Sequence, residues 1–279
     1  MKTETLSCTV SVGLLVMVTS LPAYAQVQTQ STDNWEIRLR PYVWILSIDA
    51  EATVGGTLSS LSANVDLGFD DIIDNLDFGA MGRVEIWKGR WGLTFDGLYL
   101  GLSADKSFSG SRGLLEFGLD ADLDLGSVDF ALVYRLFEQQ FGKEDKQSLA
   151  FEPYVGLRYA YLKEEIDLTV AIPGVGAKGR TLGKSEDWVE PFVGGRVIFG
   201  LNDKLAISIY GDAGGFGIGS ASDLYWQIAG GVDYNLSENM TLNAGYRYLE
   251  LDYSRGSGAD KFGIDLRAKG PYVGLQISF

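Results

Sequence analysis

Fifteen charged residues fall at strand-like spacing along this 279-residue chain. They are Arg38, Arg40, Arg83, Arg135, Arg158, Arg196 and Arg247, with Glu36, Glu85, Asp96, Asp129, Glu152, Glu190, Asp212 and Asp233. Every basic member is arginine, whose planar fork can hold a carboxylate through two parallel hydrogen bonds where water is scarce. The two signs nearly balance. The set therefore reads as a salt-bridge network packed inside a narrow barrel, since small barrels fill their interiors with side chains. The lining of a narrow path for ions or small solutes is the alternative.

A second acidic group has no basic counterpart. No Lys or Arg occurs between Pro41 and Gly82, whereas Asp49, Glu51, Asp66, Asp70, Asp71, Asp74 and Asp77 do. Asp120, Asp122 and Asp124 alternate with Leu119, Ala121, Leu123 and Leu125, which puts three carboxylates on one strand face. Divalent cations could bind such oxygen ligands. A solvated acidic stretch is the simpler reading, because no EF-hand spacing is present. Residues 70–76 could form one amphipathic helical turn that groups Ile72, Ile73 and Leu76.

Other chemistry is disfavoured. The chain has no His, and its one Cys is Cys8. The usual Ser/His or Cys/His nucleophile and a typical zinc site are therefore out of reach, and neither an enzyme nor a cofactor is expected. The Gly-rich run from Gly211 to Gly219 lacks the Gly-Lys-Ser/Thr ending of a phosphate loop. A net charge of −14 argues against nucleic acid as a partner.

The elements that would carry these residues are strands. Gly is abundant, at 36 residues, and Pro scarce, at 6. The segments 35–49, 78–88, 90–104, 115–137, 148–168, 187–200, 203–216, 223–236, 239–253 and 263–279 alternate apolar with polar. In the first, Trp35, Ile37, Leu39 and Val43 face away from Glu36, Arg38, Arg40 and Tyr42. Short turns at 88–90, 200–203 and 235–239 and a longer one at 138–147 alternate with stretches at 50–77, 105–114, 169–186, 217–222 and 254–262, the asymmetry of an outer-membrane barrel. The expectation is an all-β, antiparallel up-and-down transmembrane barrel of about ten strands, eight or twelve being the neighbouring even counts. A secreted soluble sandwich shares the alternation, and the signals at the two ends, taken together, favour the membrane barrel over it.

Those signals are an export leader and a closing strand. Lys2, the mostly apolar run 10–21 and Ala23-Tyr24-Ala25 read as a signal peptide over residues 1–25. Residues 26–34 read as a periplasmic lead-in and 35–279 as the barrel. The final strand carries Tyr272, Gly274, Ile277 and Phe279, the pattern of a C-terminal outer-membrane assembly signal. No later run is apolar enough for a spanning helix.

Residues 245–253 (Gly-Tyr-Arg-Tyr-Leu-Glu-Leu-Asp-Tyr), residues 211–217 and the last strand resemble the barrel domain of the opacity and OmpA-type outer-membrane proteins. The resemblance implies a small barrel in the outer membrane of a Gram-negative cell and no particular activity. Its surroundings would be outer-membrane lipid and lipopolysaccharide, with the barrel-assembly machinery as a partner during biogenesis. The expected role is structural or surface interaction around a largely plugged lumen, with a narrow porin-like channel as the alternative.

Overall fold

Alternation of apolar and polar side chains, with no buried stretch long enough for a helical core, leaves the backbone one way to satisfy its hydrogen bonds: pairing strand to strand until the sheet meets itself. The computed structural model describes residues 34–54, 61–109, 116–142, 146–172, 176–257 and 262–279. The leader and, apart from Asn34, the lead-in lie outside the described residues.

The strands are β1 (Trp35–Trp44), β2 (Ser47–Val54), β3 (Leu61–Leu67), β4 (Leu76–Lys88), β5 (Trp91–Ser109), β6 (Glu116–Tyr134), β7 (Phe137–Phe141), β8 (Gln147–Ile172), β9 (Gly176–Gly200), β10 (Leu205–Gly214), β11 (Leu224–Asn235), β12 (Met240–Arg255) and β13 (Phe262–Ser278). Ten of them form the ring β1-β4-β5-β6-β8-β9-β10-β11-β12-β13, and β1 pairs with β13 to close it. All pairings are antiparallel. This is a closed ten-stranded up-and-down barrel, the architecture expected from the alternation.

The three remaining strands extend this ring. Strand β2 prolongs β1 along the upper half of β13, after a break at Ile45 and Leu46. The break sits against Gly270, where a Cβ would lie 1.9 Å from the Ile45 carbonyl oxygen, so only glycine fits there. Strand β3 folds back on β2, and β7 continues below β6 along β8. The stretch 50–77 was expected to be an outer loop, and it instead holds most of β2, all of β3 and a short helix, α1 (Phe69–Asp74). Strands β5, β8 and β9 likewise run into the stretches expected to be loops at 105–114 and 169–186. In α1, Ile72 is buried while Ile73 is half exposed, so the grouping of the two isoleucines does not hold. One turn of helix can bury only one of two successive residues fully.

The outward face changes character along the barrel. Near the end that carries the termini it shows Trp35, Phe95, Phe130, Val155, Val193, Ile209, Val232 and Tyr246, all exposed. Aromatic pairs bound this apolar belt. Trp91 and Tyr134 lie 4.6 Å apart between ring centres at the lower edge, and Trp226 and Tyr248 lie 5.0 Å apart at the upper edge. Above Tyr99 and Tyr248 the same face carries Asp122, Asp124, Lys163, Glu250, Asp252 and Arg267. The inward face does the reverse. It is ionic beside the belt and apolar above it, where Trp44, Leu46, Ile48, Ile72, Leu100, Leu102 and Ala268 form one buried cluster and Leu162, Trp188, Tyr253, Phe262 and Ile264 another. The barrel thus has a lipid-facing lower part and an upper part built like a water-soluble protein around its own core.

Candidate functional site in the barrel lumen

Every inward charge but Arg135, which follows the end of β6, sits on a strand whose alternate residues face the belt, so burying the charge and exposing the apolar side chain are one event. Glu152 on β8 is fully buried and accepts from two arginines. Arg135 Nε and Nη2 lie 2.9 and 2.8 Å from Oε1, and Arg196 Nε lies 2.7 Å from Oε2. Arg196 on β9 also donates to Glu85 on β4, with Nη1 and Nη2 at 2.7 and 3.1 Å. Trp87 Nε1 completes Glu85 at 2.9 Å, and Arg38 stands 3.8 Å from it while pairing with Glu36 at 2.6 Å.

A second knot surrounds Arg158 on β8. It grips Asp129 of β6 with two bonds of 2.7 Å, reaches Asp212 on β10 at 3.3 Å and Glu190 on β9 at 3.4 Å. Its guanidinium stacks 3.6 Å from the centre of the Tyr225 ring. Glu190 is completed by Trp188 Nε1 at 3.0 Å and by the Ser222 hydroxyl. Ser222 belongs to the turn between β10 and β11, which is drawn inward at Gly215, a residue with φ of +81° pressed against Ser222. Asp212 also accepts from Gln227 at 2.7 Å and Tyr154 at 3.1 Å.

A third group joins β1, β4 and β5. Arg83 Nε lies 2.5 Å from Asp96 and its guanidinium stacks 5.0 Å from the centre of the Tyr210 ring on β10, half-way round the ring. The Tyr42 hydroxyl donates to Asp96 at 2.9 Å. These groups leave a gap of ≈ 40 Å³ among Arg83, Glu85, Asp96, Tyr154, Arg196 and Asp212, which is room for a few water molecules.

Three of the fifteen charges stand apart from the ion pairs. Arg40 donates to Gln276 at 2.5 Å, and Asp233 accepts from Asn243. Arg247 donates to Gln227 at 2.8 Å and to the Tyr42 hydroxyl at 3.4 Å, and lies 4.7 Å from the centre of the Trp44 ring. The strand pattern does not single out Trp87, Trp188, Tyr225, Gln227 and Ser222. The first four occupy the inward parity of their strands, which is the signal that could have found them. Ser222 lies in a turn and has no such signal.

The other residues of interest fall elsewhere. Asp122 and Asp124 are on the outer face above the belt and accept from Ser103 and Tyr99, each at 2.7 Å. Asp120 lies on the same strand opposite Asp105 and Asp167. Among the described residues no cluster of three acidic, His or Cys side chains could hold a metal ion. Tyr272, Gly274, Ile277 and Phe279 lie at the closing seam. The Tyr272 hydroxyl lies over Gly231 and Gly245, Gly274 packs against Tyr42, and Ile277 stands opposite Leu39. Phe279, with its side chain exposed, exchanges two backbone hydrogen bonds with Ile37, of 2.8 and 3.2 Å.

A closed antiparallel sheet with a lipid-facing belt, aromatic borders and an ionic lumen defines the class. This is an outer-membrane β-barrel protein. A family model described as YfaZ precursor matches residues 159–279, from β8 to the last residue. No curated protein matches the chain. Among solved structures, it is similar to the outer membrane protease OmpT from Escherichia coli, with a TM-score of 0.54 and 11% identity over 92% of this chain and 100% of that one. Ail, the attachment invasion locus protein of Yersinia pestis, aligns with a TM-score of 0.29 and 12% identity over 88% and 99% of the two chains. At these identities the likeness to OmpT concerns the fold alone, and that to Ail carries no weight.

Proposed function

We propose that this barrel is a plugged, non-enzymatic component of the outer membrane whose ionic lumen holds it rigid and whose acidic upper part meets the cell's surroundings. The observation that supports the plug is the bridge from Arg196 to Glu85. These residues stand on strands four places apart in the ring of ten, so the contact crosses the lumen rather than following its wall. Arg83 on Tyr210 crosses it again. Side chains tied across a lumen by charge-assisted bonds cannot part without stranding buried charge, and a steady ion path would need them to part.

Lipid and lipopolysaccharide contact the outer surface in this reading, and the barrel-assembly machinery reads the strand ending in Phe279. The likeness of residues 245–253 and of the last strand to opacity and OmpA-type barrels supports the membrane setting and implies no activity. The absence of His from the whole sequence supports a non-catalytic one.

Planar-bilayer recording tests the plug. The purified protein should insert without steady ohmic steps, and Glu85→Ala combined with Arg196→Ala should produce small ones. Large steady steps from the unaltered protein would favour the narrow porin and overturn the plug. Whole-cell binding that survives deletion of residues 50–67 and 169–186 would remove the surface role.

A further inference from the structure

Above the ionic layer the lumen opens into a chamber of ≈ 110 Å³. Its walls are apolar, with Trp44, Leu98, Leu125, Leu249, Leu251 and Leu266 among them, and its floor includes Arg158, Glu190, Tyr225 and Arg247. The floor charges differ in one respect. Arg158 is committed to Asp129 through two bonds of 2.7 Å, and Glu190 is held by Trp188, Ser222 and Arg158. Arg247 is only 6% exposed, yet no carboxylate among the described residues stands within ion-pair distance of it. It reaches Asp96 only through the Tyr42 hydroxyl, which donates to Asp96 and accepts from Arg247.

A buried guanidinium without a direct counter-ion is costly, and an anion that brings its own charge would offset that cost. The largely apolar, Leu-rich wall would take the rest of such a molecule. A wholly apolar cavity of about 150 Å³ takes up benzene. A somewhat smaller one suits a tail on the order of four to six carbons. We propose that the upper lumen is a binding site for a small monocarboxylate with a compact apolar tail, its carboxylate on Arg247 and its tail between Trp44 and the leucines. The site goes beyond the plugged role and is independent of it, because occupancy requires no path through the ionic layer.

Trp44 and Trp188 line the chamber and report on it. With the full-length protein in lipid nanodiscs, hexanoate should change tryptophan emission saturably, whereas hexanol at equal concentration should bind at least ten-fold more weakly. Arg247→Gln should abolish the preference for the acid while leaving the heat-modifiable band of a folded barrel. If that variant does not fold, Leu125→Trp, which fills the chamber, should lose hexanoate binding and decides the matter instead. No saturable response, equal binding of acid and alcohol, or binding retained in the filled variant would overturn the site. Conductance is a separate readout, so failure here leaves the plug standing, and the reverse.

Discussion

Arg196 on β9 is held between Glu152 on the neighbouring β8 and Glu85 on β4 across the lumen, through bonds of 2.7 Å to each. One guanidinium therefore serves two carboxylates that are both almost completely buried. Arg196→Met should destabilise the barrel by about 3–5 kcal/mol, the cost of leaving buried charge unpaired. Adding Glu85→Gln should recover part of that loss, while Glu152 keeps Arg135. Urea titration of the vesicle-inserted protein measures both. A single variant as stable as the original would mean that water reaches these carboxylates.

Glycine has unequal roles in this sheet. A Cβ at Gly245 would lie 2.3 Å from the Gly230 carbonyl oxygen and 2.7 Å from the Tyr272 hydroxyl, so backbone would have to move. At Gly97 it would meet nothing within 4 Å. Gly245→Ala should cost about 1–3 kcal/mol through overpacking, and Gly97→Ala should be near neutral. Paired unfolding curves, read as midpoint differences, check the contrast.

The change of polarity on the outer face predicts a depth profile. Val193 lies in the apolar belt at 55% exposure, and Val193→Arg should cost about 2–4 kcal/mol. Ser185, eight residues earlier on the same face of β9, stands above the belt, and Ser185→Arg should cost almost nothing. Equal effects at the two sites would place the lipid boundary elsewhere.

Above the belt, Asp252 stands opposite Asp265 on the outer face. Burial first, then the charges of Asp265, Asp223 and Glu250, raise its pKa above the ordinary aspartate range. The folded state then binds that proton more tightly than the unfolded chain, so ionised Asp252 costs stability at neutral pH. The cost vanishes as pH falls through the raised value toward about 3.9. Asp252→Asn should stabilise the barrel at pH 7 by no more than about 0.5 kcal/mol, given the exposure of the site. The gain should be absent at pH 3, as unfolding midpoints at the two pH values would show.

Much of this architecture is legible in the sequence, because a strand's two faces are written in its parity. The ten barrel strands and the inward direction of Arg158, Glu190 and Arg247 follow from alternation alone. What alternation does not carry is the medium each face meets. On β6, Asp122 and Asp124 share parity with Val128, Phe130 and Leu132, so one strand face passes from water to lipid without a break in pattern. The stretch 50–77 is so acidic that it resembles a loop, although Glu51, like Asp49 just before it, is simply the water side of β2. Parity also says nothing of partners across the ring. Arg196 and Glu85 are 111 residues apart, and nothing local marks Arg247 as the inward arginine left without an acid.

The length of β8 gives the upper barrel a further meaning. It has 26 residues, whereas roughly 9–11 suffice to cross the hydrocarbon of a membrane. At about 3.3 Å per residue, the surplus carries the upper end of the barrel tens of ångströms clear of the apolar belt. The protein is in effect a tower whose footing is set in lipid and whose storeys above stand around a leucine-lined shaft. In the proposed role, whatever approaches the cell therefore meets its carboxylates before it meets the membrane.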